Sequence, residues 1–310
     1  KGNMKLVSKI IVATMLLGIF SSIAVAKERI VFVTHATDVD TWWNVIKNSY
    51  KMAAKDLNVD VEYRNPPTGN LTEMARIIEA ATASKPDGLV VTIPDPDALG
   101  DAIRGAVASG IPVISVNSGA QHSKALGALM HIGQPEYDAG FAAGERAKAA
   151  GAKSFICVNH QMFNQALEER CKGFADGLGV ANNMLDVGDD PTIVRTKVTA
   201  FLQNNKVDAI LTVGPNGADP TIPALRELGL NGKIYFGTFD VSPAIVEAIK
   251  SGDLDFAIDQ QPIFQGYLPI LVLTLNIRYG VLPGNSINSG PGFITKENVA
   301  KVEKYAGEFR

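Results

Sequence analysis

The chain holds two cysteines, two tryptophans and four histidines in 310 residues. These small numbers exclude a good deal. His35, His122, His131 and His160 show no close ligand spacing with cysteine or carboxylate, so no metal site is expected. Blocks of basic residues are missing too: 29 Lys and Arg stand against 32 Asp and Glu, a net charge of −3. Nucleic acid is therefore not an expected partner. No Gly-x-Gly-x-x-Gly follows a strand, and neither a P-loop nor a Gly-x-Ser-x-Gly occurs. The common signatures of nucleotide, phosphate and serine-hydrolase chemistry are thus absent, and no cofactor is expected.

A membrane-length apolar run is also lacking. Ile10 to Phe20 is 11 residues long, short of the roughly 20 that a span requires. Lys5 and Lys9 precede it, and Ser21 to Ala26 (SSIAVA) follows, with small residues at Ala24 and Ala26. Basic segment, apolar core and Ala-x-Ala site are the parts of a secretory signal peptide, expected over residues 1–26 with cleavage after Ala26. Lys1-Gly2-Asn3 precede Met4, the expected start. No cysteine follows the cleavage site directly, so a lipid anchor is not indicated. Cleavage takes three lysines and no acids, leaving 26 basic residues against 32 acids, a mature charge of −6. The mature protein is expected free in an exported, oxidising compartment.

What is present is a large core: 46% of residues are hydrophobic, and the length suggests two domains. Short β-rich runs alternate with helical patterns. Ile30–Val33, residues 59–63, 88–93 and 112–116 read as strands, separated by helices from about Thr41 to Leu57, from Leu71 and from Ala98. The rhythm resumes with residues 153–158, 207–213, 233–240 and 256–259 as strands. Continuous apolar strands between helices predict parallel sheets covered on both faces, an α/β fold.

Cys157 falls in an apparent strand and Cys171 in an apparent helix, where Leu167, Cys171, Phe174 and Leu178 share one face. A disulfide between the two and a pair of buried thiols both fit that placement; the oxidising compartment favours the disulfide.

Two segments resemble each other. KPDGLVVTIPDPDAL…ASGIPVISVNSG parallels KVDAILTVGPNGADP…ELGLNGKIYFGTFD. Shared α/β grammar accounts for some of this likeness; two lobes of like topology account for more. Ligands of open parallel sheets bind beyond the carboxyl ends of the strands. Polar residues collect at those ends: His35 to Asp40, Asn117-Ser118, Asn159-His160, Asn216 to Asp219, Asp240 and Gln260. Short carboxylates and amides engage two atoms at once, which suits vicinal hydroxyls. Trp42 and Trp43, the only tryptophans, begin a helix beside Asp40. An indole face suits the C–H face of a ring, and one of the two is expected in the cleft. Together these point to a neutral polyhydroxylated ligand. His35 with Asp38 or Asp40 could serve as a base and its orienter, but no nucleophile accompanies them, and binding without catalysis is expected.

With these residues in view, the chain resembles the ribose-type, or type I, periplasmic sugar-binding proteins of ATP-driven importers. The motifs that carry the resemblance run in order through residues 28 to about 300: Asp40-x-Trp42-Trp43, PDGLVV, GIPVISVNSG, HIGQPEYDAG (131–140), ALEERCKGF, GTFD and DQQPIFQGY (259–267). The resemblance implies two Rossmann-like lobes joined by three hinge crossings. The first would take residues 27–129 and 262–286, the second 130–260 and 287–310. It implies a monosaccharide or polyol ligand, an ABC permease as partner, a chemoreceptor as a further one, a monomer, and the periplasm.

Position by position, the family's stacking aromatics fall on Trp42 and Trp43, the preceding acid on Asp40 and the first strand's end on His35. The polar pair after the fourth strand is Asn117 and Ser118, the acid of GTFD is Asp240, and the hinge glutamine is Gln260. The amide after the VDAILTV strand is Asn216, with Asp219 as the alternative. A family arginine aligns with Glu168, with Arg170 two residues on. Asn117-Ser118 and Glu168 depart from the ribose pattern, which leaves another aldose, a polyol or a furanone-type signalling molecule open. A transcriptional regulator of the same fold would need an N-terminal helix-turn-helix in place of the leader, and an exported sugar-acting enzyme would need two carboxyls set about a scissile bond.

Overall fold

A computed structural model describes residues 27–310; the leader expected over residues 1–26 lies outside the described residues. The first lobe runs β1 (Arg29–Val33), α1 (Trp43–Leu57), β2 (Asp60–Arg64), α2 (Leu71–Ala83), β3 (Gly88–Val91), α3 (Pro96–Ala108), β4 (Val113–Val116), α4 (Ala120–Ser123) and β5 (Met130–Gly133). The second runs α5 (Glu136–Ala149), β6 (Phe155–Asn159), α6 (Gln165–Leu178), β7 (Met184–Asp186), α7 (Pro191–Asn204), β8 (Ala209–Thr212), α8 (Pro215–Glu227), β9 (Tyr235–Phe239), α9 (Pro243–Ser251) and β10 (Phe256–Asp259). The chain then returns through α10 (Pro262–Tyr279) and β11 (Ile287–Asn288) and ends on the second side with β12 (Gly292–Ile294).

The two sheets have the same order, β2-β1-β3-β4-β5-β11 and β7-β6-β8-β9-β10-β12. All pairings are parallel except β10 with β12. Side chains alternate across each strand as the pleat requires. Ile30 and Phe32 enter one core, beneath α1 and α10, while Val31 and Val33 enter another, beneath α2 and α3. In the second lobe Ile156 and Val158 face one core and Phe155 and Cys157 the other. Each such fully buried side chain contributes about 1.5–3 kcal/mol.

Local chemistry sets where helices start. Asn70, Asp95, Asn164, Asp190 and Ser242 each accept a backbone N–H in the first turn. Helix α1 begins at Trp43 rather than Thr41, because Asp40 Oδ1 accepts the Trp42 N–H at 3.1 Å and holds the chain in a turn. Helices α5 and α6 pack through glycines. A Cβ on Gly140 or Gly144 would strike the α6 backbone, and one on Gly173 or Gly177 the α5 backbone. Only glycine permits that approach.

Three crossings join the lobes, at residues 134–135, 260–261 and 289–291. The boundaries expected at 129/130 and 286/287 are corrected. Met130–Gly133 and Ile287–Asn288 pair in the first sheet, so the chain leaves that lobe only after those strands. Cys157 on β6 is bonded to Cys171 on α6, with a Cα separation of 5.7 Å.

Candidate ligand-binding site between the lobes

The carboxyl ends of the two sheets face each other across a narrow cavity of about 40 Å3. The repeat in the sequence becomes a symmetry of the site. Asn117 follows β4 and Asp240 follows β9, the same place in each sheet. Both take the left-handed conformation, φ 63° and 66°. Gln260, on the second crossing, joins them. Its Nε2 donates to both Asp240 carboxylate oxygens at 2.8 and 2.9 Å, and its Oε1 accepts from Asn117 Nδ2 at 3.2 Å. Gln265 of α10 completes the network, donating to Gln260 Oε1 at 2.8 Å and to Ser289 Oγ on the third crossing at 2.9 Å.

Asp240 is 4% exposed. Burial raises its pKa to about 7, against the opposing pull of Arg170 and Gln260. Asp40, on the β1–α1 connection, is 9% exposed. Burial raises its pKa to about 6, while the Trp42 N–H and the Asn216 amide favour the charged form. The cavity thus receives one carboxylate from each lobe.

Arg170 is buried on α6. Its Nε and Nη2 donate to Glu136 at 2.7 and 2.8 Å in a two-pronged pair, and Nη1 donates to the Val213 carbonyl at 2.7 Å. Its guanidinium lies 4.4 Å above the Phe239 ring. Asp240 is farther, 3.8 Å from Nη1. Glu168, the position expected to match the family's arginine, is exposed and outside the cavity. The correction has a helical cause: at about 100° per residue, two positions turn a side chain nearly to the opposite face.

His35 lines the cavity, but both ring nitrogens are engaged. Asn164 Oδ1 accepts the Ala166 N–H, so its Nδ2 faces His35 Nε2 at 3.2 Å as donor. Nδ1 therefore carries the proton and donates to Thr92 Oγ1 at 2.9 Å. Burial, then the nearby His160, lowers the His35 pKa to about 3, and the ring is neutral. It stands edge-on to Trp43, ring centres 5.1 Å apart. His35 is a brace between lobes rather than a free hydrogen-bond partner.

The tryptophans divide their work. Trp43 is 3% exposed and belongs to the core with Phe32 and Ile46. Trp42 is half-buried, crosses Trp43 at 88°, and its Nε1 has no partner among the described residues. Both rings border the cavity. Asn216, in the first turn of α8, reaches it as well. Ser118 and Asp219 do not. Ser118 is fully buried and donates to Asn117 Oδ1 at 3.0 Å. Asp219 accepts from Ser242 at 2.7 Å and lines a wider outer groove of about 900 Å3 with Asp189 and Arg195.

His160, Gln161, Asn164, Leu167 and Arg170 also border the cavity. His160 was legible as a strand-end residue; its Nδ1 is buried with no partner among the described residues, and burial followed by Arg170 lowers its pKa to about 3. The others lie beyond the strand end, in the β6–α6 connection and on α6, where strand-end reasoning does not reach. Around the cavity the lobes touch: the Gln165 N–H donates to the Pro94 carbonyl at 3.0 Å, and His122 Nε2 meets Gln165 Oε1 at 2.9 Å. The lobes stand closed.

Comparison with known proteins gives a consistent picture. The profile of a family described as a periplasmic binding protein domain matches residues 30–278. The xylose/arabinose-binding protein XylF of Sulfolobus acidocaldarius is 27% identical over 296 residues, covering 87% of this chain and 72% of that protein. A carbohydrate transporter of Acidothermus cellulolyticus 11B, solved in complex with myo-inositol, is 38% identical with a TM-score of 0.86, covering 91% of this chain and 98% of that one. A periplasmic sugar-binding protein of an ABC sugar transporter from Legionella pneumophila is 28% identical with a TM-score of 0.78, covering 85% and 100%.

Proposed function

The chain belongs to the type I periplasmic binding protein family, and on that premise we propose that it captures a ring-shaped sugar or polyol between its lobes and delivers it to an ABC permease. The observation that carries this reading is the convergence of Asp40 and Asp240, one from each lobe, with the amides of Asn117, Asn216 and Gln260 and the unpartnered Trp42 Nε1 on one cavity. Carboxylates and amides accept and donate in pairs, as adjacent hydroxyls require, and indole faces cover the apolar side of a ring. The relative solved with myo-inositol supports a cyclic polyol as the first ligand to test.

Ligand pockets commonly measure about 300 Å3 or more, and the closed cavity is narrower than that. Admission of a ring therefore requires the lobes to part about the three crossings and to close again on the ligand, a hinge equilibrium biased by contacts to both lobes. The Cys157–Cys171 bond supports residence in an exported, oxidising compartment, the periplasm. The protein acts as a monomer that binds without turnover.

The test is a thermal-shift and calorimetric screen of the purified protein against myo-inositol, xylose, arabinose, ribose, glucose, amino acids and nucleosides. A ligand bound only by the folded state raises its melting temperature by mass action. A shift with a polyol or aldose is expected. A shift with amino acids or nucleosides alone would sink the proposal, and hydrolysis of a glycoside would sink binding without turnover.

A further inference from the structure

Buried charge in the cavity does not balance. Glu136, Arg170, Asp240 and Asp40 are 5%, 3%, 4% and 9% exposed. The guanidinium commits Nε and Nη2 to Glu136 and Nη1 to the Val213 carbonyl. Asp240 lies beyond hydrogen-bonding range of it and takes its donors from the neutral Gln260 amide. Asp40 receives the Trp42 N–H, the Asn216 amide and the Trp43 indole N–H, all neutral donors. His35 and His160 are neutral. Three buried carboxylates thus share one guanidinium: Glu136 takes its hydrogen bonds, Asp240 lies 3.8 Å from Nη1, and Asp40 has no cation in contact among the described residues.

A buried carboxylate without a counter-charge is costly, and a cation brought into contact offsets much of that cost. Two further features suit a cation. Trp42 and Trp43 border the cavity beside Asp40, and indole rings attract ammonium groups. The unpartnered Nδ1 of neutral His160 is a polar atom buried in the cavity wall and can accept a hydrogen bond.

We propose that the preferred ligand of this cavity is a protonated amino-cyclitol or amino sugar, a ring polyol in which an ammonium group replaces one hydroxyl. The inference rests on the ring-polyol reading above and narrows its substrate class. The ammonium presents three donors and sits where it meets Asp240 or Asp40. The remaining hydroxyls meet the amides of Asn117, Asn216 and Gln260.

The test compares scyllo-inositol, scyllo-inosamine and N-acetyl-scyllo-inosamine by calorimetry at about pH 7, where an aliphatic amine is protonated. The parent ring is symmetric, so the amine can be presented to either carboxylate by rotation. The amine is expected to bind about tenfold or more tighter than the parent, and the uncharged N-acetyl compound to lose that advantage. Asp240→Asn or Asp40→Asn is expected to bring amine and parent within about threefold of each other. Equal or tighter binding of the parent in the wild type would overturn this inference and leave the ring-polyol reading standing. An undiminished preference in both variants would also overturn it, since charge would not be its source. Absence of binding by all three compounds and by every sugar or polyol in the wider screen, with binding of an amino acid or nucleoside, would overturn both.

Discussion

Arg170→Met is the most informative single change in the second lobe. It would leave the Glu136 carboxylate, 5% exposed, with one donor, Gln134 Nε2 at 2.8 Å. Removing one partner of a buried pair costs about 3–5 kcal/mol, because the other charge stays buried. The Val213 carbonyl also loses the Nη1 donor at 2.7 Å, about 1 kcal/mol more. Together these predict a loss near 5 kcal/mol, roughly 10–20 °C in melting temperature for a unit of this size. Glu136→Met should cost less, about 2 kcal/mol, because Arg170 keeps Asp240 at 3.8 Å as an alternative partner. The double variant replaces both charges with apolar side chains and should lie within about 2 kcal/mol of wild type.

The double-mutant cycle thus predicts a coupling energy of at least about 5 kcal/mol, beyond the usual range. Denaturant unfolding followed by far-UV circular dichroism measures it. Trp42 and Trp43 both lie in the first lobe, so tryptophan fluorescence reports that lobe and separates its unfolding from that of the second. A double variant whose loss equals the sum of the singles would refute the argument, since the two charges would then not be compensating each other.

Two further outcomes are expected. Cys157→Ala with Cys171→Ala opens a loop of sequence separation 14, and a loop of that length predicts a loss of about 3 kcal/mol; differential scanning calorimetry showing no fall in melting temperature would refute it. Asp240 has a folded-state pKa raised by burial to about 7 from 3.8, so its contribution is fully present below pH 3.8 and is lost as pH rises through about 7. Asp240→Asn removes that loss. The variant should therefore gain stability relative to wild type between pH 5 and pH 8, and an identical difference at both values, measured by thermal unfolding, would contradict the pKa shift.

The alternation of apolar strands and helices was readable because strands covered on both faces must be apolar throughout, as Val113–Val116 and Ala209–Thr212 nearly are. The internal repeat marked β3-α3-β4 and β8-α8-β9, which occupy the same places in the two sheets. Two helices gave no periodic signal. EYDAGFAAGERAKA of α5 buries alanine and glycine against α6, so it shows no stripe of large apolar residues. PIFQGYLPILVLTLNIRY of α10 is apolar nearly all round, and a helix of that kind has no face to detect. The crossings were misplaced because HIGQPEYDAG reads as one motif, while its strand belongs to one lobe and its helix to the other.

For the site, the rule that ligands meet strand ends placed Asp40, Asn117, Asp240 and Gln260 on one cavity. It could not separate neighbours on a chain whose side chains alternate, so it took Ser118 along with Asn117. It also could not show that His35 spends both nitrogens on Thr92 and Asn164, since those partners are 57 and 129 residues away. The error at Glu168 differs in kind, because the signal was present. Glu168, Lys172 and Asp176 recur every fourth residue and are all exposed, the charged stripe of a solvated face. Leu167, Cys171, Phe174 and Leu178 define the buried face, and Arg170 stands three residues after Leu167 and four before Phe174. That spacing puts Arg170 on the buried side of α6, where a guanidinium persists only with a partner. Helical phase alone therefore argues for Arg170 over Glu168, and for an acid near it; Glu136 becomes that acid through the glycine contacts that bring α5 against α6.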